Sequence, residues 1–208
     1  MNVHPSATTL WILDRDQTHL AGLRQAVVGR FPSMTVETFD RPGAACDALS
    51  RAARGQSPWL LVTDHTGLAG SGDGGPSVRQ VAHRSSPLTL VNLYSASAFQ
   101  QPDLVPRLLQ QHQVDAAVPK GQLSKLLDTI SDWHGRWNLP VLARLREYMA
   151  AEQPQIPFAT TAGGGEISFL DVHREIVLGT PQGEQWAKAW EMVFSDKPLT
   201  ELFPELTL

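Results

Sequence analysis

Asp64 follows a short apolar run and precedes a glycine-rich turn, a position from which a carboxylate can act on a ligand. The run, residues 59–63, has no polar alternation and is typical of a strand buried on both faces. Ligands of open α/β sheets bind outside the carboxyl ends of the strands. Taken alone, Asp64 is more simply explained as the first residue of a turn. A functional interpretation therefore depends on the polar groups that other strands bring to the same edge.

Four further stretches with apolar residues predict the strands that would share this edge. They cover residues 8–13, 34–39, 87–94 and 114–118, and stretches with the apolar spacing of helices lie between and after them. This alternation of strand and helix predicts an α/β fold. We expect a parallel sheet of five strands, with helices on both faces and right-handed crossovers.

Several polar side chains directly follow the predicted strands. They are Asp14, Arg15, Asp16, Asp64, Ser95 and Lys120. Singly, Lys120 would be an ordinary loop lysine and Ser95 an ordinary turn residue. Their order along the chain instead favours one common site at the carboxyl edge of the sheet.

With these residues in this order, residues 1–137 resemble the receiver domain of bacterial two-component response regulators. That family has acids after strand one, a phosphorylatable Asp at the end of strand three, Ser or Thr at the end of strand four, and Lys after strand five. Asp14, Asp64, Ser95 and Lys120 match this pattern. The resemblance implies the doubly wound, flavodoxin-like strand order 2-1-3-4-5.

The resemblance also implies a role for each matching residue. Asp64 would be the phosphoacceptor, Asp14 and Asp16 the acidic pocket, Ser95 the switch hydroxyl, and Lys120 the residue that contacts the phosphate. A carboxylate nucleophile can form an aspartyl phosphate. Mg²⁺ held by the three acids would neutralise the incoming anion. The implied partners are a histidine kinase or phosphotransfer protein of a phosphorelay, and an unknown effector protein.

Arg15 departs from the family, which usually has a second, metal-ligating acid at this position. Three consequences are open. Asp16 could substitute as a ligand, Mg²⁺ binding could be weakened, or Arg15 could pair with Asp64 and replace the metal as a built-in cation. A second departure is Ala117, where the family often has an aromatic residue that moves with the switch hydroxyl. Strand alternation is expected to turn Tyr94 away from the site.

The tail, residues 138–208, has a different character and is predicted to be a helical C-terminal extension. Asn138 is predicted to cap its first helix, and residues 152–165 are predicted to be a linker or loop. Ser168 and Asp171 form a weak capping-box pattern for a second helix. Thr180 and Pro181 are expected to start a third.

Four tryptophans occur in pairs at helical spacing, Trp133 with Trp137 and Trp186 with Trp190. We expect the tail helices to pack these rings against the last helix of the receiver-like domain. The alternative is a partner-binding or self-association surface, since Trp is enriched at interface hot spots. A homodimer would satisfy both interpretations.

Charge and composition exclude several classes of function. The net charge is −4, with −5 on the tail and +1 on residues 1–137, so nucleic-acid binding is not expected. No apolar run approaches the ~20 residues of a membrane helix, and we expect no signal peptide. The single cysteine, Cys46, fits a cytoplasmic protein. The seven histidines lack metal-site spacing, and only His65 adjoins a predicted site residue.

Three functions remain compatible with the sequence. The first is an atypical response-regulator receiver, phosphorylated on Asp64, with output through protein contacts and no enzymatic activity of its own. The second is a pseudo-receiver that binds or dimerises without phosphorylation and regains an Mg²⁺ response with Arg15→Asp. The third is a flavodoxin-like or nucleotide-binding enzyme whose glycine-rich loop, residues 67–75, holds phosphate, although the loop lacks a P-loop motif.

Overall fold

The computed structural model describes residues 6–51, 57–68, 77–151, 157–160 and 165–194. The chain divides into two compact units, residues 4–130 and a second unit built from residue 131 onward. The division between residues 130 and 131 falls inside the helix Leu123–Trp137. The predicted domain boundary, after residue 137, lies at the end of that helix.

Five parallel strands form the sheet of the first unit. They are β1 (Ser6–Leu13), β2 (Thr35–Phe39), β3 (Pro58–Thr63), β4 (Leu90–Ser95) and β5 (Ala116–Pro119). Their order is β2-β1-β3-β4-β5, and every neighbouring pair is parallel. This is the doubly wound order of the receiver fold, so the predicted fold class is confirmed.

The helices of the first unit connect these strands. They are α1 (Gln17–Arg30), α2 (Pro42–Arg51), α3 (His65–Leu68), α4 (Val78–Ser85), α5 (Leu104–Gln110) and α6 (Leu123–Trp137), with a 3₁₀ turn at Ala98–Gln100. Residues at the N-termini determine where several of these helices begin. Asp16 caps α1, Ser77 and Gln80 form a capping box at α4, and Pro42 occupies the start of α2.

The sheet has a buried core on each side. One core contains Trp11, Leu13, Leu61, Val91 and Leu93 together with residues of α2, α4 and α5. Alternation along the strands turns the intervening residues to the opposite face. All six residues of β3 and all six of β4 are buried, as expected for central strands that carry helices on both faces.

Asn92 interrupts the apolar composition of β4. Its side chain is 0% exposed, and within the described part of the chain neither its amide nitrogen nor its oxygen has a hydrogen-bond partner. An unsatisfied buried group of this kind costs about 1–3 kcal/mol. Alternation places Asn92 on the same face of the sheet as Tyr94, two residues nearer the carboxyl edge.

The second unit contains the end of α6, three further helices and a hairpin. Its elements are α7 (Pro140–Ala151), β6 (Pro157–Thr160), β7 (Glu166–Ser168), α8 (Phe169–Leu178) and α9 (Pro181–Val193). β6 and β7 pair antiparallel, so part of the stretch predicted to be a linker is a strand. The expected capping role of Asn138 is wrong. Its side-chain nitrogen donates to the carbonyl of His134, 2.8 Å away, and closes α6.

Aromatic rings fill the core of the second unit. The rings of Phe158 and Phe169 stack at 4.3 Å between centroids, and Trp190 lies 5.6 Å from Phe169. Trp137 meets the buried His173 edge-on at 5.0 Å. All four paired tryptophans are at most 5% exposed, which favours the packing interpretation over a partner-binding surface. Among the described residues, no helix has the length and apolar character to cross a membrane.

The start of α8 provides a direct test of local stability. The Ser168 hydroxyl accepts a hydrogen bond from the Asp171 N–H, 3.2 Å, and the Asp171 carboxylate accepts one from the Ser168 N–H, 2.9 Å. We expect Ser168→Ala to lower the free energy of unfolding by about 1 kcal/mol. Denaturant unfolding measures the loss. Ser50→Ala, at an exposed position in α2, is the control and should stay within about 0.5 kcal/mol of wild type. Equal stability of the two variants would contradict the capping role.

Candidate functional site

The predicted site residues converge at the carboxyl edge of the sheet. Leu13 and Thr63 are register partners, and the Asp64 N–H donates to the carbonyl of Leu13, 3.1 Å away. Asp14 and Asp64 therefore leave neighbouring strands at the same level. Ser95 ends β4, and its carbonyl accepts a hydrogen bond of 3.3 Å from the Lys120 N–H.

Asp14 is the centre of the contacts at this edge. It is 3% exposed, and its Oδ2 atom lies 2.6 Å from Lys120 Nζ and 2.6 Å from His19 Nδ1. Its Oδ1 atom accepts a hydrogen bond of 3.1 Å from the Asp16 N–H. Because burial strongly disfavours an isolated carboxylate, these donors account for how Asp14 is tolerated there.

His19 is a site residue that the sequence analysis missed. It lies in the first turn of α1, and its ring stacks on that of Tyr94 with centroids 5.5 Å apart and planes 22° apart. The Tyr94 hydroxyl oxygen in turn accepts a hydrogen bond of 3.4 Å from the Gly121 N–H. The expectation that Tyr94 points away from the site is therefore wrong. The position of His19 in the sequence could have indicated its role. A helix that follows a parallel strand begins at the carboxyl edge of the sheet, so its first turn lies close to the site.

The Asp64 carboxylate is held by the turn that follows it. Its Oδ1 atom accepts hydrogen bonds from the Thr66 hydroxyl, 2.5 Å, and the Gly67 N–H, 3.1 Å. Asp64 is 9% exposed. Asp64 therefore does both things that the sequence suggested as alternatives: it forms a turn, and it places a carboxylate at the end of β3. Most of the glycine-rich loop predicted to hold phosphate lies outside the described residues.

Arg15 does not pair with Asp64. Its side chain is exposed, and the structure contains no ion pair between these two described residues. Of the three alternatives left open for Arg15, the built-in cation paired with Asp64 is therefore wrong. Lys120 instead brings a permanent positive charge into the pocket, and it contacts Asp14.

Asp16 serves the helix rather than the pocket. Its Oδ1 atom accepts hydrogen bonds from the N–H groups of Thr18, 3.0 Å, and His19, 3.1 Å. The hydrogen bond from the His19 N–H is the largest cause of a lowered pKa for Asp16, with burial opposing it and the Thr18 N–H, His19 and Lys120 assisting. The direction follows because these groups favour the charged carboxylate.

The hydroxyl of Ser95 is tied to the turn that follows β4. It is buried, accepts a hydrogen bond of 3.3 Å from the Ala98 N–H, and lies 3.3 Å from the hydroxyl of Ser97. As placed, it caps the 3₁₀ turn. The role of a switch hydroxyl stays a prediction.

The described acids are not arranged as the Mg²⁺ site that the resemblance implied. Within the described part of the chain, no group of three His, Cys, Asp or Glu residues is arranged to hold a metal ion. Both oxygens of Asp14 already accept from protein groups, and the Asp16 carboxylate caps α1. The residues present, in this arrangement, do not fit a hard divalent cation, which requires free oxygen ligands.

Comparison with known proteins gives likeness in structure only. No protein-family model matches the sequence, and no curated protein does. The receiver domain of the Francisella response regulator 1452 is similar, with 12% identity, coverage of 62% of this chain and 98% of that chain, and a TM-score of 0.47. The signal receiver domain of a putative Luxo repressor protein from Vibrio parahaemolyticus has 16% identity, with 72% and 98% covered and a TM-score of 0.49.

A third similar structure is RcsB from Salmonella enterica serovar Typhimurium, solved bound to promoter rprA with the phosphomimetic BeF3-. It has 19% identity, with 60% of this chain and 98% of that chain covered and a TM-score of 0.45. At such identities the likeness extends to the fold. The strand order of the sheet establishes that fold here, so the resemblance to receiver domains is confirmed at the level of the fold.

Gly67 provides a test of the turn that holds Asp64. A Cβ atom at this position would overlap Thr63 Oγ1 and Leu13 Cδ2. We expect Gly67→Ala to lower the free energy of unfolding by about 1–3 kcal/mol, because the buried neighbours must shift. Gly22→Ala is the control, since a Cβ there meets nothing within 4 Å. It should leave stability unchanged or raise it by up to ~1 kcal/mol in denaturant unfolding. A neutral Gly67→Ala variant would contradict the close packing of this turn.

The lowered pKa of Asp16 predicts a pH-dependent stabilisation. A carboxyl whose pKa is lower in the folded state stabilises it above the unfolded pKa, near 3.8, and this contribution is lost as the pH falls through the folded pKa. Wild type should therefore exceed Asp16→Asn in stability at neutral pH, and the difference should vanish in acid. Thermal unfolding in chelator-containing buffer measures this difference.

Asp103→Asn is the matched control for Asp16, because Asp103 precedes α5 without a side-chain hydrogen bond to that helix. It should remain within about 0.5 kcal/mol of wild type at neutral pH. A constant difference between wild type and Asp16→Asn from neutral to acid pH would refute the role of the charge.

Proposed function

We propose that this chain is a signalling protein whose receiver-fold unit works without Mg²⁺-dependent phosphoryl transfer, as a pseudo-receiver that acts by protein contacts. The observation that carries the proposal is the position of Lys120 Nζ, 2.6 Å from Asp14 Oδ2. The Lys120 ammonium group compensates the charge of Asp14, in a pocket where the exposed Arg15 replaces the second acid. The site therefore has its charge compensated before any phosphodonor or metal arrives.

Phosphorylation of Asp64 is the second candidate function. It is favoured by the position of Asp64, which leaves β3 beside the level of Asp14 on β1. A carboxylate at such a strand end can act as a nucleophile. In this case Lys120 would leave Asp14 to contact the phosphate, and the partner would be a histidine kinase or phosphotransfer protein.

Both candidates share a non-enzymatic output through an effector protein in the cytoplasm. The tail supports this output over DNA binding, because residues 138–208 contain five basic and ten acidic side chains. A segment with a net charge of −5 disfavours binding to a polyanion. A homodimer is compatible with either candidate, but the buried rings of the four paired tryptophans would contribute little to its interface.

Treatment with acetyl phosphate, read by intact mass with and without Mg²⁺, separates the two candidates. For the pseudo-receiver we expect no Mg²⁺-dependent phosphoryl adduct on wild type, because Lys120 and His19 occupy Oδ2 of Asp14 and position 15 carries no acid. Asp64→Asn is the control for reaction elsewhere on the chain. An adduct that requires Mg²⁺ and is lost in Asp64→Asn would overturn the proposal and establish the second candidate.

A further inference from the structure

The carboxylate of Asp14 has both oxygens engaged by protein donors. Oδ1 accepts from the Asp16 N–H at 3.1 Å, and Oδ2 is shared by Lys120 Nζ and His19 Nδ1, each at 2.6 Å. Because Oδ2 already accepts from two donors, a cation that binds Oδ2 must displace one of them. Whether the pocket can bind a metal therefore depends on how firmly each of these donors is held against Asp14.

His19 and Lys120 differ in how firmly they are held. The imidazole lies against the Tyr94 ring at 5.5 Å, and the Tyr94 hydroxyl is itself fixed by the Gly121 N–H at 3.4 Å. The first turn of α1, which carries His19, is capped by Asp16. Lys120, by contrast, ends a flexible four-carbon chain that can turn away without disturbing the backbone. His19 is therefore the firmly held donor on Oδ2.

Arg15 cannot provide this obstruction directly. Its side chain is exposed, and it forms no ion pair with Asp14, Asp16 or Asp64. Arg15 affects metal binding only because it replaces an acid that would otherwise be a metal ligand. Restoring that acid supplies an oxygen but leaves Oδ2 of Asp14 covered by the imidazole.

We propose that His19 is a positioning residue that closes the pocket to Mg²⁺ by occupying Oδ2 of Asp14, so that the pocket lacks a metal site for two separate reasons. One is the missing acid at position 15, and the other is the imidazole at position 19. The inference rests on the proposed function, because it explains how a receiver-fold pocket operates without a metal. It requires only that the imidazole N–H donate to the carboxylate, since a carboxylate oxygen can only accept.

Mg²⁺ titration by calorimetry of the full chain tests the inference with four proteins. They are wild type, Arg15→Asp, Arg15→Asp/His19→Ala and the matched control Arg15→Asp/Gln25→Ala. Gln25 is exposed on the same helix as His19. We expect no saturable binding by wild type and weak binding by Arg15→Asp. The double variant without His19 should bind roughly tenfold or more tightly than Arg15→Asp, because a charge-assisted hydrogen bond no longer competes with the metal.

Each alternative result has a definite meaning. If Arg15→Asp already binds as tightly as Arg15→Asp/His19→Ala, or if the Gln25 control gains equally, the inference about His19 is overturned while the proposed function stands. If the folded double variant without His19 binds no Mg²⁺, the inference also fails. Saturable Mg²⁺ binding by wild type would instead overturn the proposed function itself.

Folding is checked by circular dichroism and cooperative thermal unfolding of every variant. His19→Ala removes a ring stack as well as a hydrogen bond. If that variant does not fold, Arg15→Asp/His19→Leu replaces it, because leucine keeps an apolar contact with Tyr94 and has no donor for Asp14. The same criteria then apply, and metal binding remains a readout that loss of packing alone would not improve.

Discussion

A buried negative charge at Asp14 is the constraint around which the first unit is organised. A carboxylate that is 3% exposed must be paired, and its donors come from the turn after β1, the first turn of α1 and the loop after β5. The carboxylate therefore joins segments that are far apart in sequence. Because three donors share this carboxylate, loss of one leaves its charge partly compensated by the other two. The pocket is thus a structural junction as well as a candidate functional site.

The convergence of the strand ends was predictable, but the contacts within the pocket were not. Buried strands and their terminal acids leave a periodic signal, and a parallel sheet must bring its carboxyl ends to one edge. Side-chain direction beyond a strand end has no such period. A pairing of Arg15 with Asp64 was one of three open alternatives, and Arg15 is exposed, whereas His19 lies over the edge in the first turn of α1. Tyr94 lies within β4, where alternation sets its face of the sheet, but its long side chain still reaches the Gly121 N–H.

In the second unit, local rules predicted the starts of α8 and α9, although the cap expected at Asn138 was wrong. The Ser168 cap of α8 and the start of α9 at Thr180 and Pro181 each depend on a few adjacent residues. β6 and β7 contain four and three residues, too few to show a period of two. The packing of aromatic rings was expected from the spacing of the tryptophans, but their particular partners depend on tertiary contacts.

Asn92 gives the central strand β4 a buried side-chain amide without a hydrogen-bond partner among the described residues. A leucine of similar size would have no polar atoms to bury at this position. The unpaired amide of Asn92 therefore makes the native state less stable than an apolar side chain would. Any rearrangement that gave this amide a partner would recover part of that deficit. A ligand or partner that shifts the strand ending on Ser95 could therefore regain part of this cost by giving the Asn92 amide a hydrogen-bond partner.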